Sequence, residues 1–246
     1  MKRKKLIIAA GSVCLLGLAA LAAVLLILSG TYLPNAVKAS KYEVMGVDVS
    51  HYQGDIDWDI LSGEGISFAF IKATEGSSYV DPAYDYNSHE AAKTGIKIGA
   101  YHFFSFDSPG ATQAENFIAA VGKGEGMLPP TVDLEPYGSY RRALPPKETV
   151  KPELDALLQA LEEYYGKKPI IYTTERAYKK YLSGGYEEYD IWIRSVLTAP
   201  KLSDSREWTF WQYSDKGRLQ GYSGEERFID LNVFRGTREE FERYGK

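Results

Sequence analysis

The chain begins with an uncharged apolar run from Leu6 to Leu28, directly behind the basic cluster Met1-Lys2-Arg3-Lys4-Lys5. As a helix this run is about 34 Å long, enough to cross a hydrocarbon core of about 30 Å. Basic residues ahead of it predict an N-terminus that stays in the cytoplasm. The pattern therefore predicts a cytoplasmic segment over 1–5 and a single-pass transmembrane signal anchor over 6–28, with the rest of the chain extracellular. Secretion after signal cleavage is the alternative, since Val37-Lys38-Ala39 offers small residues to a peptidase. The run exceeds the usual core of a cleaved signal and the cut lies far beyond its end, which favours the anchor. Residues 29–41 are polar and carry Gly30 and Pro34, predicting a tether ahead of a domain over 42–246.

From Tyr42 onward short apolar segments alternate with amphipathic ones. Strands are expected over 42–50, 68–72, 97–104, 131–134, 169–173, 190–194, 208–213 and 228–234. Helices are expected over 84–94, 110–121, 147–165 and 175–182. The third of these places Leu154, Leu157, Leu158 and Leu161 at spacings of three and four and stops at Gly166. Eight strands with helices between most of them predict an α/β fold, a parallel barrel of the (β/α)8 type whose later helices are shortened.

In such barrels the chemistry gathers at the carboxyl ends of the strands. Polar residues fall there: Asp48 late in the first strand, Lys72 and Glu75 after the second, His102 late in the third, Asp133 and Glu135 at the fourth, Tyr172 at the fifth, Arg194 at the sixth, Gln212 and Tyr213 at the seventh. Asp230, inside the last strand, is the exception. Within Thr131-Val132-Asp133-Leu134-Glu135-Pro136, period-two alternation turns both acids to one side about 7 Å apart at the backbone. Like charges that close raise a carboxyl pKa, which suits acid/base work, although a solvated edge strand has the same pattern.

Charge is uneven. Residues 1–41 hold six basic and no acidic side chains, leaving 23 basic and 33 acidic over 42–246. A domain this acidic is not built for polyphosphate, so nucleic acid is not an expected partner. The lone cysteine, Cys14, excludes an internal disulfide and a cysteine-based metal site, and three scattered histidines give no metal-ligand spacing. Nineteen Tyr and four Trp supply flat faces that serve a core or a sugar site equally well.

Seven blocks in order carry a resemblance. They are Asp48-Val49-Ser50-His51-Tyr52-Gln53-Gly54 with Ile56-Asp57-Trp58; Phe68 to Gly76; Gly99-Ala100-Tyr101-His102-Phe103; Asp133-Leu134-Glu135; Ile170-Ile171-Tyr172-Thr173; Trp211-Gln212-Tyr213; and Asp230-Leu231-Asn232. Together they resemble glycoside hydrolase family 25, the Chalaropsis-type lysozymes or N-acetylmuramidases. The resemblance implies a flattened barrel that hydrolyses the β-1,4 bond between N-acetylmuramic acid and N-acetylglucosamine in peptidoglycan glycan strands, without a cofactor. It also implies Glu135 as proton donor, with Asp48, Asp133 and Asp230 as the other family carboxylates. Where many members have Ala-His and an aromatic after the sixth strand, this chain has Trp192-Ile193-Arg194-Ser195-Val196, a departure that touches contacts to distal sugars.

Asp133 suits either a nucleophile or a group that orients the substrate's 2-acetamido group for attack on C1; both predict retention of configuration. Tyr101, Tyr172, Trp192, Trp211, Gln212, Lys72 and Glu75 are the candidate substrate-binding residues. Bland readings stand beside them: Asp48 as a loop cap, Asp230 paired with Arg194 or Lys72, Lys72 and Glu75 as an ion pair, His102 and the aromatics as core. A non-catalytic peptidoglycan-binding scaffold and a chitinase-like enzyme with substrate assistance are the competing functions. The complete set of four acids speaks against the first, and the Asp48 and Asp230 blocks speak against the second.

Overall fold

The computed structural model describes residues 2–124 and 126–245, with only the backbone of residues 2–11 and 14. Its strands are β1 (Val44–Val49), β2 (Ile66–Glu75), β3 (Tyr79–Val80), β4 (Lys97–Phe103), β5 (Thr131–Leu134), β6 (Ile170–Thr174), β7 (Ile191–Arg194), β8 (Phe210–Gly217) and β9 (Ile229–Phe234). The sheet runs β1-β9-β8-β7-β6-β5-β4-β2-β3, and β1 also pairs with β2, which closes eight strands into a barrel and leaves β3 as a flap on the end of β2.

The expected barrel is present, with one correction to its parallel sense. Strands β1, β2 and β4 to β8 run parallel to their neighbours, but β9 is antiparallel to both β1 and β8. Residues 218–228 between β8 and β9 contain no helix. A connection without a crossover element brings the chain back antiparallel.

The helices are α1 (Lys2–Leu28), α2 (Ala36–Ala39), α3 (Trp58–Gly63), α4 (Tyr84–Ala92), α5 (Gly110–Val121), α6 (Lys147–Tyr165), α7 (Glu175–Ala177) and α8 (Arg238–Arg243). Helix α6 has the expected bounds because its four leucines are buried and Gly166 ends it in the left-handed conformation. The later helices are short as expected: α7 continues only as a π-helical turn over Tyr178–Leu182, and no helix separates β7 from β8.

Strand alternation divides the core in two. Phe68, Phe70, Ile170, Trp192, Phe210 and Phe234 fill the barrel, while Ala69, Ile71, Ile171, Ile193, Trp211 and Val233 face the helices. The barrel interior has room for its phenylalanines because two strand positions carry no side chain. A Cβ on Gly46 would lie 2.4 Å from the Phe68 ring, and one on Gly99 2.5 Å from Phe70.

The membrane-spanning anchor over 6–28, with the single-pass location and membrane partnership drawn from it, is corrected. Among the described residues no helix is long and apolar enough to cross a membrane. The side chains of residues 2–11 and 14, on which part of that expectation rests, lie outside the described residues.

The segment expected as a tether is anchored on the barrel. Asn35 is fully buried, and its Nδ2 donates to the carbonyls of Ser195 (2.9 Å), Thr198 (3.2 Å) and Tyr213 (3.4 Å). Ala39 is buried in the outer core with Leu33 packed against it.

Candidate active site

A cleft of about 450 Å³ opens at the mouth where the parallel strands end, and Asp48, Asp133, Glu135 and Asp230 all line it. Asp48 is near the end of β1. Asp133 stands on β5 with Glu135 just past its end, on the same face by alternation. Asp230 is the second residue of β9, and because β9 runs backwards its beginning lies at this mouth. Asp230 is the direct cross-strand partner of Asp48.

A hydrogen-bond network fixes the Asp48 side of the cleft. Gln212 Nε2 donates to Asp48 Oδ1 (3.1 Å) and Oδ2 (2.9 Å) and to Asp230 Oδ2 (3.1 Å). Gln212 Oε1 accepts from the Tyr172 hydroxyl at 3.0 Å. Asn232 Nδ2 donates to Asp48 Oδ2 at 2.7 Å, and Asn232 Oδ1 accepts from Trp192 Nε1 at 2.8 Å. Each amide is thereby locked in one orientation, and two acids receive donors without a full positive charge.

The Asp133 side is poorer in partners. Asp133 is 7% exposed, and its buried Oδ1 has no hydrogen-bond partner among the described residues. Burial pushes its carboxyl well above the ordinary aspartate range, and the neighbouring Glu135 charge adds to this. Burial also raises Glu135, against the opposing pull of Arg194, with Asp48 pushing the same way as burial. Asp48 is raised by burial against the donors from Asn232 and Gln212. Asp230 is raised well above its usual range by burial and by the Asp48 charge. Four acids that resist ionisation in one cleft can hold a proton at a pH where isolated carboxylates have lost theirs.

The expected binding residues divide by place. Tyr101, Tyr172, Trp192, Gln212 and Lys72 line the cleft. Trp192 is 2% exposed and stacks on Phe70 (4.3 Å, 22°), so it forms floor. Glu75 lies outside the lining and takes the ion pair from Lys72 Nζ at 2.6 Å. Lys72 also sits over the rings of Phe103 (5.1 Å) and Tyr79 (5.4 Å). Trp211 is not in the cleft. Phe210 and Gln212 face the barrel interior, so period two turns Trp211 outward, where it is buried and donates to the Ser195 carbonyl at 2.9 Å.

His102 is a satisfied core histidine. Its Nε2 meets Gln113 Oε1 at 3.0 Å and its Nδ1 meets the Thr74 hydroxyl at 2.7 Å. Since Gln113 Oε1 is an acceptor only, Nε2 donates and Nδ1 accepts. Burial lowers its pKa to about 4.

Sequence reasoning gave no role to Asn232, Arg141 or Asp215. Asn232 was findable, since it stands two residues past Asp230 and so on the same face. Arg141 and Asp215 line the cleft from a 3-10 turn after β5 and from the far end of β8, where spacing carries no signal. Asp215 Oδ2 accepts from Arg194 Nη2 at 2.7 Å, so the strand-end arginine that departs from the family pattern is tied down beside the acids.

Residues 47–222 match the model of glycosyl hydrolases family 25. A family 25 glycosyl hydrolase structure from Bacillus anthracis superposes with a TM-score of 0.80 at 54% sequence identity, covering 84% of this chain and 95% of that one. The uncharacterized protein YegX of Escherichia coli (strain K12) is 36% identical over 210 residues, 83% of this chain and 74% of that protein. Lysozyme M1 of Streptomyces globisporus is 34% identical over 207 residues, 79% of this chain and 68% of that enzyme.

Proposed function

The chain belongs to glycosyl hydrolase family 25 and is a glycoside hydrolase of the muramidase kind, and from that premise we propose how it works. It cleaves the β-1,4 bond between N-acetylmuramic acid and N-acetylglucosamine in peptidoglycan, outside the cytoplasmic membrane, with Glu135 as proton donor. One observation carries this reading: four carboxylates from three distant stretches of the chain line a single cleft.

Glycoside cleavage needs one carboxylic acid to protonate the leaving oxygen and a group that stabilises the oxocarbenium-like centre. Glu135 fits the first task, being raised by burial yet half-open to the cleft. The unpartnered Asp133 Oδ1 supports a role as acceptor for the N–H of the substrate's 2-acetamido group. The acetamido oxygen then attacks C1 as the C1–O bond breaks, and the Glu135 proton goes to the leaving oxygen. Water opens the resulting oxazolinium ring at C1 and returns a proton to Glu135. Two inversions at C1 give net retention. Asp48 and Asp230, held by Gln212 and Asn232 and unable both to ionise freely, place the shared negative charge of the pair on the other side of the same cleft.

The deciding experiment compares wild type and Glu135→Gln on purified peptidoglycan and on chitin oligomers. The proposal expects wild type to clear peptidoglycan and release muramic acid reducing ends, and expects the variant to fold but not cut. Cleavage of chitin alone, or full activity in the variant, would refute it.

A further inference from the structure

The end of β4 and the loops after β4 and β5 set four aromatic rings in a short row, one ring inside the cleft followed by a triangle of three. Phe103 lines the cleft and packs edge-on against Tyr137 (5.5 Å, 62°). Tyr137 stacks on Phe106 (5.4 Å, 11°). Tyr140 stands edge-on to both, 5.3 Å from Tyr137 and 5.1 Å from Phe106. All four are half-buried. Burying large rings is favourable, so a row left half-open beside a cleft is unusual for packing alone.

Polar contacts that core packing does not need hold this row. Asp107 accepts from the Tyr137 hydroxyl on Oδ2 (2.9 Å) and from the Tyr140 hydroxyl on Oδ1 (2.5 Å). The Phe106 backbone N–H donates to the Tyr137 hydroxyl at 2.9 Å. Behind the rings, Arg176 donates to the carbonyls of Arg141 (2.5 Å) and Arg142 (3.2 Å) and pins the 3-10 turn Gly138–Arg141 that carries Tyr140. Rings fixed before a ligand arrives lose little entropy when it binds.

We propose that this row is a distal saccharide subsite, on which a sugar of the glycan strand stacks beyond the ring pair being cleaved. The proposal rests on the muramidase reading. Its occupant follows from continuity: a glycan strand outruns the cleft, Phe103 belongs to both cleft and row, and Tyr137 is two residues from Glu135. The apolar C–H face of a pyranose matches a flat tyrosine, while its hydroxyls remain in water.

The test is the ratio of kcat/KM for long glycan strands to kcat/KM for a fragment of two disaccharide units, in wild type, Tyr140→Ala and Tyr140→Leu. Leucine keeps apolar bulk and removes the flat face, so it serves if the alanine variant folds poorly. One lost stacking contact lowers the ratio in both variants about tenfold. Tyr140→Phe keeps the ring, loses only the bond to Asp107, and lowers the ratio about threefold or less. Wild type active on both substrates, with variants whose ratio equals that of wild type, overturns the subsite alone. Wild type that cuts neither substrate overturns the muramidase reading and the subsite with it.

Discussion

Asp48 on β1 and Asp230 on β9 face each other as direct partners of an antiparallel pair, and the single Gln212 side-chain amide donates to both carboxylates. Two acids placed this way cannot both ionise freely, and burial makes it harder. The folded state therefore binds more protons than the unfolded chain above the ordinary aspartate pKa of about 4. By linkage, stability contributed by this pair is present below that pH and declines as pH rises through the elevated folded value.

Asp230→Asn removes that proton debt and keeps the side chain's shape. The variant should be more stable than wild type at neutral pH by about 1 kcal/mol or more, with a smaller difference near pH 4. Urea unfolding at the two pH values reads this. Its activity on peptidoglycan should fall at least about tenfold, as expected for a group acting on transition-state charge.

Glu135→Gln should lower kcat by about 10²–10⁴ with little change in KM, the range for removal of a general acid. Reducing-end release under saturating substrate measures it.

Arg194 sits between the acids and Asp215, and its charge pulls the Glu135 pKa down against burial. Arg194→Met should raise that pKa further. Glu135 must be protonated to act, so the alkaline limb of the kcat profile should move to higher pH. A limb that stays in place or moves down would show that Arg194 does not tune this acid.

Proton NMR of the first product released from a muramic acid glycoside should show the β-anomer ahead of mutarotation. Appearance of the α-anomer first would exclude both acetamido attack and an Asp133 nucleophile.

Asn35→Ala should destabilise the protein by about 3 kcal/mol, since it strips a fully buried donor from the carbonyls of Ser195, Thr198 and Tyr213. Truncation to residue 42 should cost at least as much. Chemical denaturation of both variants tests whether residues 29–41 belong to the folded unit.

Much of the site was readable because strand periodicity is local. Asp133 and Glu135 share a face whatever surrounds them, and the ends of β1, β2, β4 and β5 collect polar residues in a chain whose strands are otherwise apolar. Trp211 and Trp192 show the limit of that reading. Both are tryptophans on short strands beside polar residues, yet one faces the barrel and the other the helices, and only the phase of each strand relative to the barrel axis separates them. Asn35 was opaque for another reason. A lone asparagine in a polar stretch looks like any loop residue until its three carbonyl partners, all more than 150 positions away, are seen.

By itself the sequence determined the alternating elements, the core face of α6 and the family to which the four acids belong. These depend on spacing along the chain and on residue types in order. Tertiary structure decided the direction of β9, since an alternating strand has the same pattern read either way. That direction brings Asp230 to the mouth opposite Asp48. The proton balance of the cleft was likewise decided in three dimensions, because desolvation and charge proximity come from neighbours that the chain brings together only when the barrel closes.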